Sequence, residues 1–282
     1  MRGNMKKTAL ITGACINTGV AIVEKFASEG YNVIFTGRNA EKVRASEKEY
    51  KAKFPNVEIV GYPVDSLIDA RTVDEASVKN MFADIDSRGL FVETLVLNAA
   101  DQGLGQKIFE NPLTDLMKVI NTNVVWNYCL SEHAAKRMKE NGGGNIVFVN
   151  SNTAYRAIPD RIAYSTSKGG QLGMMRAMAL DLGKYNIRVN AVLPGMIRTN
   201  RWNEFIELAM WHDSLMENIE QYVNMDEETF HRIELKAAYT QCIMLSHIAE
   251  NLTELKAKAS KNRIINNNIK TNNYGREDYR SN

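Results

Sequence analysis

The feature that most constrains the fold is a regular alternation of short apolar runs with longer segments of helical period. The runs have strand length and are rich in Val, Ile, Leu and Phe without polar alternation, which is typical of strands that are buried on both faces. Six predicted strands cover residues 8–12, 32–36, 57–60, 94–97, 145–149 and 187–192. The predicted helices cover residues 19–29, 40–53, 74–86, 115–139 and 163–183. Strand–helix–strand units with right-handed crossovers predict an α/β fold, a doubly wound parallel sheet of Rossmann type with three layers.

The predicted units follow one another without a linker or an internal repeat, so residues 1–255 are predicted to form a single domain. Within it, apolar residues at close to helical spacing over residues 200–223 predict a helical lid, and residues 227–248 predict a second helical stretch. Residues 256–282 form a polar, basic and Asn-rich tail, which we expect to be partly disordered because it can bury little apolar surface.

Charge and cysteine content argue against several classes of protein. The formal net charge is only +2, with 35 basic and 33 acidic side chains, so binding to nucleic acid is not expected. The three cysteines are far apart in sequence, which favours a reducing compartment over a disulfide framework, and the four histidines have no metal-ligand spacing. No apolar run approaches the roughly 18 residues that span a bilayer, and no signal peptide follows the basic start. We therefore expect a cytoplasmic protein without a metal or a membrane contact.

The first motif is the turn between the first predicted strand and the first predicted helix, Thr12-Gly13-Ala14-Cys15-Ile16-Asn17-Thr18-Gly19. A tight, Gly-containing turn at this point lets backbone N–H groups and the helix N-terminus face a pyrophosphate. Because the turn holds only two glycines, an ordinary strand–helix connection is the alternative.

The second motif is Gly37-Arg38-Asn39 at the end of the second predicted strand. An acidic residue there would bind the ribose hydroxyl of NAD, whereas an Arg accommodates the 2′-phosphate of NADP. Residues 32–40 contain no Asp or Glu, so NADP is favoured and NAD is the alternative. A solvated loop charge is the other reading of Arg38.

The third motif is Tyr164-Ser165-Thr166-Ser167-Lys168, which falls in a predicted helix. Residues four apart share a helix face, so Tyr164 and Lys168 point the same way. A free phenol has a pKa near 10, and a neighbouring ammonium would lower the pKa of Tyr164 toward the range of acid/base catalysis. Tyr and Lys also occur at this spacing by chance on many helices.

Further polar and turn residues follow the ends of neighbouring predicted strands. Asn98 follows residues 94–97, Ser151 follows residues 145–149, and Pro194-Gly195 follows residues 187–192. Since ligands bind at the carboxyl ends of strands in doubly wound sheets, these residues are expected on one rim. Ser151 is placed to hydrogen-bond a substrate carbonyl.

Together these motifs resemble the short-chain dehydrogenase/reductase family from about Lys7 to Thr199. The turn resembles the family's TGxxxGxG, Tyr164 and Lys168 match its YxxxK, and Asn98-Ala99-Ala100 resembles its NNAG. The positions that match catalytic residues of the family are Asn123, Ser151, Tyr164 and Lys168. The positions that match cofactor-binding residues are Gly13, Asn17, Thr18, Gly19, Arg38, Asp65, Asn98, Ala99, Tyr164, Lys168, Pro194, Gly195, Ile197 and Thr199.

The resemblance implies a role for each catalytic position. Tyr164 would give a proton to a carbonyl oxygen, and Ser151 would position and polarise that carbonyl. Lys168 would bind the nicotinamide ribose and lower the pKa of Tyr164. Asn123 would hold a water that connects Lys168 to solvent. The resemblance also implies that Asp65 meets the adenine and that the segment from Pro194 to Thr199 holds the nicotinamide amide.

The sequence departs from the family pattern at four places. Asn17 replaces the middle glycine of the turn, which Asn tolerates because it adopts left-handed backbone conformations more readily than most residues. Leu97 and Ala100 replace residues of NNAG, and residues 66–73 are expected to form a surface loop. Glu254 stands where the family has Gly, and the apolar last strand that should follow is absent from the sequence. We therefore expect the sheet edge to need another cover.

The sequence thus predicts an NADP-dependent oxidoreductase that interconverts a ketone and a secondary alcohol. Bulky residues at Met196, Ile197, Trp202, Phe205 and Trp211 favour a small apolar substrate under the lid, with steroid-like, acyl and sugar-like substrates unresolved. They also fit a lid that simply packs on the core. A non-catalytic dinucleotide-binding regulator is the alternative function, and nucleic-acid binding through the basic tail is a third. A homo-oligomer, dimer or tetramer, is expected.

Overall fold

The computed structural model describes residues 7–103, 108–195 and 197. The predicted lid, the second helical stretch, the Asn-rich tail and Thr199 lie outside the described residues, as do Glu254 and the segment of the expected last strand. The division of residues 1–255 from 256–282 therefore stays a prediction. In the described part of the chain, no helix is long and apolar enough to cross a membrane.

The centre of the described chain is a six-stranded parallel sheet, which confirms the predicted doubly wound fold. The strands are β1 (Thr8–Ile11), β2 (Asn32–Gly37), β3 (Ile59–Pro63), β6 (Val92–Leu97), β7 (Gly144–Val149) and β8 (Ile187–Val192). Their order is β3-β2-β1-β6-β7-β8, so the chain changes direction across the sheet between β1 and β6. Ligands bind at such a switch point in open parallel sheets.

Six α-helices in the described chain flank the sheet. They are α1 (Asn17–Ser28), α2 (Ala40–Lys53), α3 (Glu75–Ser87), α4 (Leu113–Ile120), α5 (Trp126–Glu140) and α6 (Ile162–Leu182). Successive side chains of β1 point to opposite faces: Ala9 and Ile11 pack with α1 and α2, whereas Leu10 packs with α3 and α5. Two apolar cores with one sheet between them give the three predicted layers.

Three elements differ from the predicted ones. The long helix predicted over residues 115–139 is α4 and α5, joined by a π-helical turn at Asn121–Val125. The surface loop expected at residues 66–73 is an antiparallel hairpin of β4 (Leu67–Asp69) and β5 (Thr72–Val73), held by Asn121 Nδ2, which donates to Ala70 O at 3.1 Å. The third strand begins two residues later than predicted and ends at Pro63, which an edge strand tolerates because the missing N–H is not needed there.

The carboxyl ends of β1 and β6 are joined by hydrogen bonds of Thr12 and Asn98. Thr12 Oγ1 accepts from Asn98 N at 2.9 Å and from Ala99 N at 3.0 Å. Asn98 Nδ2 donates to Thr12 O at 2.9 Å and to Gly13 O at 3.1 Å. These bonds hold the turn after β1 against the strand on the other side of the switch point.

We expect Thr12→Val to lower the free energy of unfolding by about 1–3 kcal/mol, because two backbone N–H groups lose their acceptor while the side-chain volume is unchanged. Chemical denaturation of both proteins measures this difference. The matched control is Thr8→Val at the start of β1. The hydroxyl of Thr8 is buried and has no hydrogen-bond partner among the described residues, so its removal should leave stability unchanged or raise it. Equal losses in the two variants would contradict the role given to Thr12.

Candidate active site

The predicted pair Tyr164 and Lys168 lies on the first two turns of α6. Lys168 Nζ is 5.5 Å from the centre of the Tyr164 ring, so the two side chains share a face as predicted. Lys168 is 1% exposed, and its ammonium donates to Val149 O at 2.9 Å and to Gln171 Oε1 at 3.2 Å. Burial lowers the pKa of Lys168 to about 8, because a low-dielectric surrounding disfavours the charged form.

Ser151 follows β7 and begins a short 3₁₀ turn at Asn152–Ala154. Its hydroxyl accepts from Thr153 N at 3.2 Å and from Thr153 Oγ1 at 2.9 Å, and it lies near enough to the phenol of Tyr164 to lower the pKa of that group. The structure therefore brings together the two residues that were predicted to meet a substrate carbonyl.

The pKa of Tyr164 is raised by burial, and the Ser151 hydroxyl and the charge of Arg161 act in the opposite direction. The Arg161 guanidinium lies 5.8 Å from the ring centre and donates to Gln102 O at 2.7 Å. The family resemblance implies that Lys168 lowers this pKa, and the charge of Arg161 acts in the same direction in the described chain.

Asn123 lies in the π-helical turn and is fully buried. Its side-chain amide exchanges two hydrogen bonds with the backbone of Asp101, at 2.7 and 2.8 Å, and donates to Ser167 Oγ at 2.9 Å. Its backbone carbonyl accepts from Asn127 Nδ2 at 2.9 Å and from Gln171 Nε2 at 2.6 Å. Asn123 is therefore joined to the helix that carries Tyr164 and Lys168 by direct side-chain bonds.

Two buried amides near these residues were not singled out by the sequence. Gln171 lies one turn after Lys168, and Asn150 directly precedes Ser151. Asn150 Nδ2 donates to Lys168 O at 2.9 Å and to Gln171 Oε1 at 3.1 Å, and Asn150 Oδ1 accepts from Ser151 N at 2.7 Å. The sequence feature that indicates Gln171 is its spacing of three residues from Lys168, which places the two side chains on the same helix face.

The turn between β1 and α1 has the geometry of a phosphate cradle. Gly13 and Asn17 have φ angles of +64° and +50°, the left-handed region that Gly and Asn tolerate. A Cβ on Gly19 would lie 2.4 Å from Gly13 O, so only glycine allows the helix to start this close to the strand. Helix α1 has no side-chain cap and no acidic residue in its first turn, which leaves its N–H groups and positive dipole end for an anion. These residues fit the pyrophosphate of a dinucleotide.

The other predicted cofactor residues lie at the carboxyl ends of the strands. Arg38 and Asp65 are exposed where β2 and β3 end, and the Asp65 carboxylate accepts from Ser66 N at 2.7 Å. Pro194 and Gly195 follow β8, and Asn152 N donates to Pro194 O at 3.1 Å, beside Ser151. Thr18, Asn98, Ala99 and Ile197 lie at this same edge, after β1, β6 and β8.

Comparison with known proteins identifies the class. The profile of the short chain dehydrogenases matches residues 7–208. An uncharacterized oxidoreductase of Thermotoga maritima is 33% identical over 198 residues, which cover 70% of this chain and 74% of the relative. A structure of 7α-hydroxysteroid dehydrogenase with NADH and 7-oxo glycochenodeoxycholic acid aligns with a TM-score of 0.63 at 30% identity, over 70% of this chain and 74% of that one. The structure of L-sorbose reductase from Gluconobacter frateurii with NADPH and L-sorbose has a TM-score of 0.65 at 26% identity, over 76% of each chain.

This chain belongs to the short-chain dehydrogenase/reductase family. It is an NAD(P)-dependent oxidoreductase that interconverts the carbonyl and alcohol groups of small-molecule substrates. The solved relatives above hold NADH in one case and NADPH in the other, so they leave the choice between the two cofactors open.

The buried ammonium of Lys168 should make stability depend on pH. Because its pKa is about 8 in the folded chain and near 10.5 when unfolded, the unfolded chain binds more protons between these values. Below pH 8 the folded chain bears the cost of burying the charged Lys168 ammonium. As the pH rises from 8 to 10.5 the folded chain loses this charge, so the free energy of unfolding rises by roughly 3 kcal/mol. From pH 7 to 10.5 the unfolding free energy of the wild type, measured by denaturant unfolding, should rise by this amount relative to that of Lys168→Met, because the raised pKa of groups such as Cys129 affects both proteins alike. Parallel curves for the two proteins would contradict the assigned pKa.

Proposed function

We propose that this enzyme reduces a ketone or aldehyde to an alcohol, with Tyr164 as the proton donor and Ser151 as the group that holds the carbonyl. The observation that carries the proposal is that Tyr164 and the buried Lys168 share one helix face, with Lys168 Nζ 5.5 Å from the centre of the Tyr164 ring and the Ser151 hydroxyl near enough to lower the pKa of the phenol. A carbonyl oxygen that accepts from both hydroxyls would take its proton from Tyr164. The nicotinamide cofactor, when bound, supplies the hydride.

The protonation state of Tyr164 supports the direction of reduction. Because burial raises its pKa, the phenol is protonated at neutral pH and is ready to act as an acid. The ammonium of Lys168 donates two of its three N–H groups to Val149 and Gln171, and the third, which has no partner among the described residues, would bind the ribose hydroxyls of the cofactor. In this proposal Tyr164 transfers the proton, Ser151 holds the carbonyl, and Lys168 and Asn123 are positioning residues.

We infer that NADP is the preferred cofactor. Arg38 is exposed at the end of β2, where the adenine ribose is bound in Rossmann-type folds, and it is followed by Asn39, which caps α2 by accepting from Lys42 N at 2.9 Å. A guanidinium binds a phosphate through charge-assisted hydrogen bonds, and no carboxylate lies between Asn32 and Ala40 to repel it.

A small apolar substrate is our proposal for the class of carbonyl compound. Ile158 and Ile197 are apolar and half exposed, in the segments that follow β7 and β8. A relative whose structure holds a steroid-like ligand supports this class, and one that holds L-sorbose keeps a sugar-like substrate as the alternative. The expected homo-oligomer and cytoplasmic location stay predictions.

Substitution of Tyr164 tests the reaction. We expect Tyr164→Phe to lower kcat by about 10²–10⁴-fold, as is typical for loss of an acid/base group, and to leave the dissociation constant of NADPH within about twofold. NADPH oxidation with a panel of steroid, aliphatic and sugar ketones measures turnover, and fluorescence titration measures binding. The control is Tyr185→Phe, which lies before β8 at the opposite end of the sheet. NADPH binding by the wild type with no turnover on any ketone would favour the non-catalytic regulator instead.

Substitution of Arg38 tests the cofactor. Loss of a charge-assisted contact costs about 1.5–3 kcal/mol, so Arg38→Asp should lower kcat/KM for NADPH relative to NADH by about 10–100-fold. Steady-state kinetics with each cofactor measure the ratio. Arg44→Asp makes the same charge change on the exposed face of α2 and should leave the ratio unchanged. An unaltered ratio in Arg38→Asp would remove this residue from cofactor selection.

A further inference from the structure

Gln171 is fully buried and is bonded to three parts of the candidate site. Its Oε1 accepts from Lys168 Nζ at 3.2 Å and from Asn150 Nδ2 at 3.1 Å. Its Nε2 donates to the backbone carbonyl of Asn123 at 2.6 Å. One side chain therefore connects the lysine, the π-helical turn and the residue that precedes Ser151.

The chemistry of the partners fixes the orientation of the Gln171 amide. An ammonium can only donate and a carbonyl oxygen can only accept, so the oxygen of the amide must face Lys168 and its nitrogen must face Asn123. The other orientation would place two donors together at Lys168 and two acceptors together at Asn123. The Gln171 amide can therefore connect Lys168 to Asn123 in only one orientation, with its oxygen as the acceptor of the ammonium and its nitrogen as the donor to the carbonyl.

The carbonyl of Asn123 already has two donors. It accepts from Gln171 Nε2 and from Asn127 Nδ2 at 2.9 Å, and a carbonyl oxygen has two lone pairs. The side chain of Asn123 is used by Asp101 and Ser167. The family resemblance implied that Asn123 would hold a water connected to Lys168. In this chain a side-chain amide lies between the same two residues.

We propose that Gln171 is a positioning residue that holds the Lys168 ammonium in place and keeps it protonated, by linking it directly to the Asn123 carbonyl. The effect of Gln171 on Lys168 is inferred from the contacts of Gln171 alone. Its consequence for catalysis rests on the proposed function. A buried ammonium that loses one of its acceptors is less stable, so the amide oxygen of Gln171 opposes the effect of burial on the lysine.

The same amide reaches the serine. Asn150 Nδ2 donates to Gln171 Oε1, and Asn150 Oδ1 fixes the backbone of Ser151 by accepting from Ser151 N at 2.7 Å. The position of the Ser151 hydroxyl therefore depends on an amide pair, Gln171 and Asn150, that is closed off from solvent. Such chains of buried hydrogen bonds hold their members more tightly than separate pairs do.

The other charged groups joined to this network leave Lys168 as the group that titrates near pH 8. Arg161 lies over the Tyr164 ring and stays charged at all relevant pH values. Asp101, whose backbone bonds Asn123, has its carboxylate 3.5 Å from Lys118 Nζ on α4. The residues that follow β7 contribute the neutral side chains of Asn150 and Ser151. A shift in the alkaline limb of activity would therefore report on Lys168 and on the coupled phenol of Tyr164.

Two substitutions of Gln171 test the proposal because they should act with opposite signs. Gln171→Met removes the acceptor at nearly the same volume, so the alkaline limb of kcat for ketone reduction should move to lower pH by about one unit. Gln171→Glu places a carboxylate beside the ammonium, so the same limb should move to higher pH by about one unit or more. A residue that only fills space would not shift the two limbs in opposite directions. Two limbs that stay at the wild-type pH, or that move the same way, overturn the proposal.

The matched control is Asn127→Leu. Asn127 is as buried as Gln171 and donates to the same carbonyl of Asn123, but it has no hydrogen bond to Lys168 in the described structure. This variant should leave the alkaline limb at the wild-type pH, even if its stability changes. A shift equal to that of Gln171→Met would assign the effect to Asn123 alone and overturn the direct link.

A readout that needs no substrate separates this proposal from the proposed function. The pH at which the unfolding free energy starts to rise, measured for each Gln171 variant against the same variant carrying Lys168→Met, isolates Lys168. This onset should move down in Gln171→Met and up in Gln171→Glu, whether or not any ketone is reduced. If Gln171→Met does not fold, an onset in Gln171→Glu that is unchanged or lower than in the wild type overturns the proposal. Shifted onsets without turnover would contradict the proposed function and leave the link from Gln171 to Lys168 standing.

Discussion

A buried ammonium is tolerated in a protein only when its N–H groups have acceptors, and Lys168 meets this condition through Val149 O and Gln171 Oε1. Each acceptor is available only because another part of the fold is in place. Val149, whose carbonyl is one acceptor, is the last residue of β7. The amide of Gln171 is oriented by its hydrogen bond to the Asn123 carbonyl in the π-helical turn. The candidate site thus depends on the packing of α6 against both the sheet and the α4–α5 connection.

The π-helical turn is the element that makes this packing specific. It interrupts what would otherwise be one helix over Leu113–Glu140, and π-helical turns occur often at functional sites. Asn123 projects from this turn, bonds the backbone of Asp101 and donates to Ser167 on α6. The loop after β6, the α4–α5 connection and α6 are therefore joined through a single buried side chain, at the rim where the ends of β1 and β6 open the switch point.

The sequence predicts the sheet well because the strands are buried on both faces and so contain little else than apolar residues. It predicts Ser151, Tyr164 and Lys168 as neighbours because strand ends and helical spacing are local properties. It does not predict the π-helical turn, since residues 121–125 continue the helical period. Gln171 was missed for a related reason: a polar residue on a helix usually faces solvent, and its burial becomes apparent only when α6 is packed against Asn123. The sequence predicts a loop instead of the hairpin at residues 66–73 because the two strands of this hairpin are very short.

The chemistry of Tyr164 follows from competition between burial and charge. Burial raises the pKa of the phenol and lowers the pKa of Lys168, so both groups are driven toward their neutral forms. A neutral phenol is a proton donor, which suits reduction, whereas a neutral lysine would no longer favour the phenolate that remains after the proton is given up. The acceptors of the Lys168 ammonium therefore matter most after the transfer, when a negative phenolate and a positive ammonium lie on one helix face. A site arranged in this way keeps Tyr164 protonated before the reaction and stabilises its conjugate base afterwards.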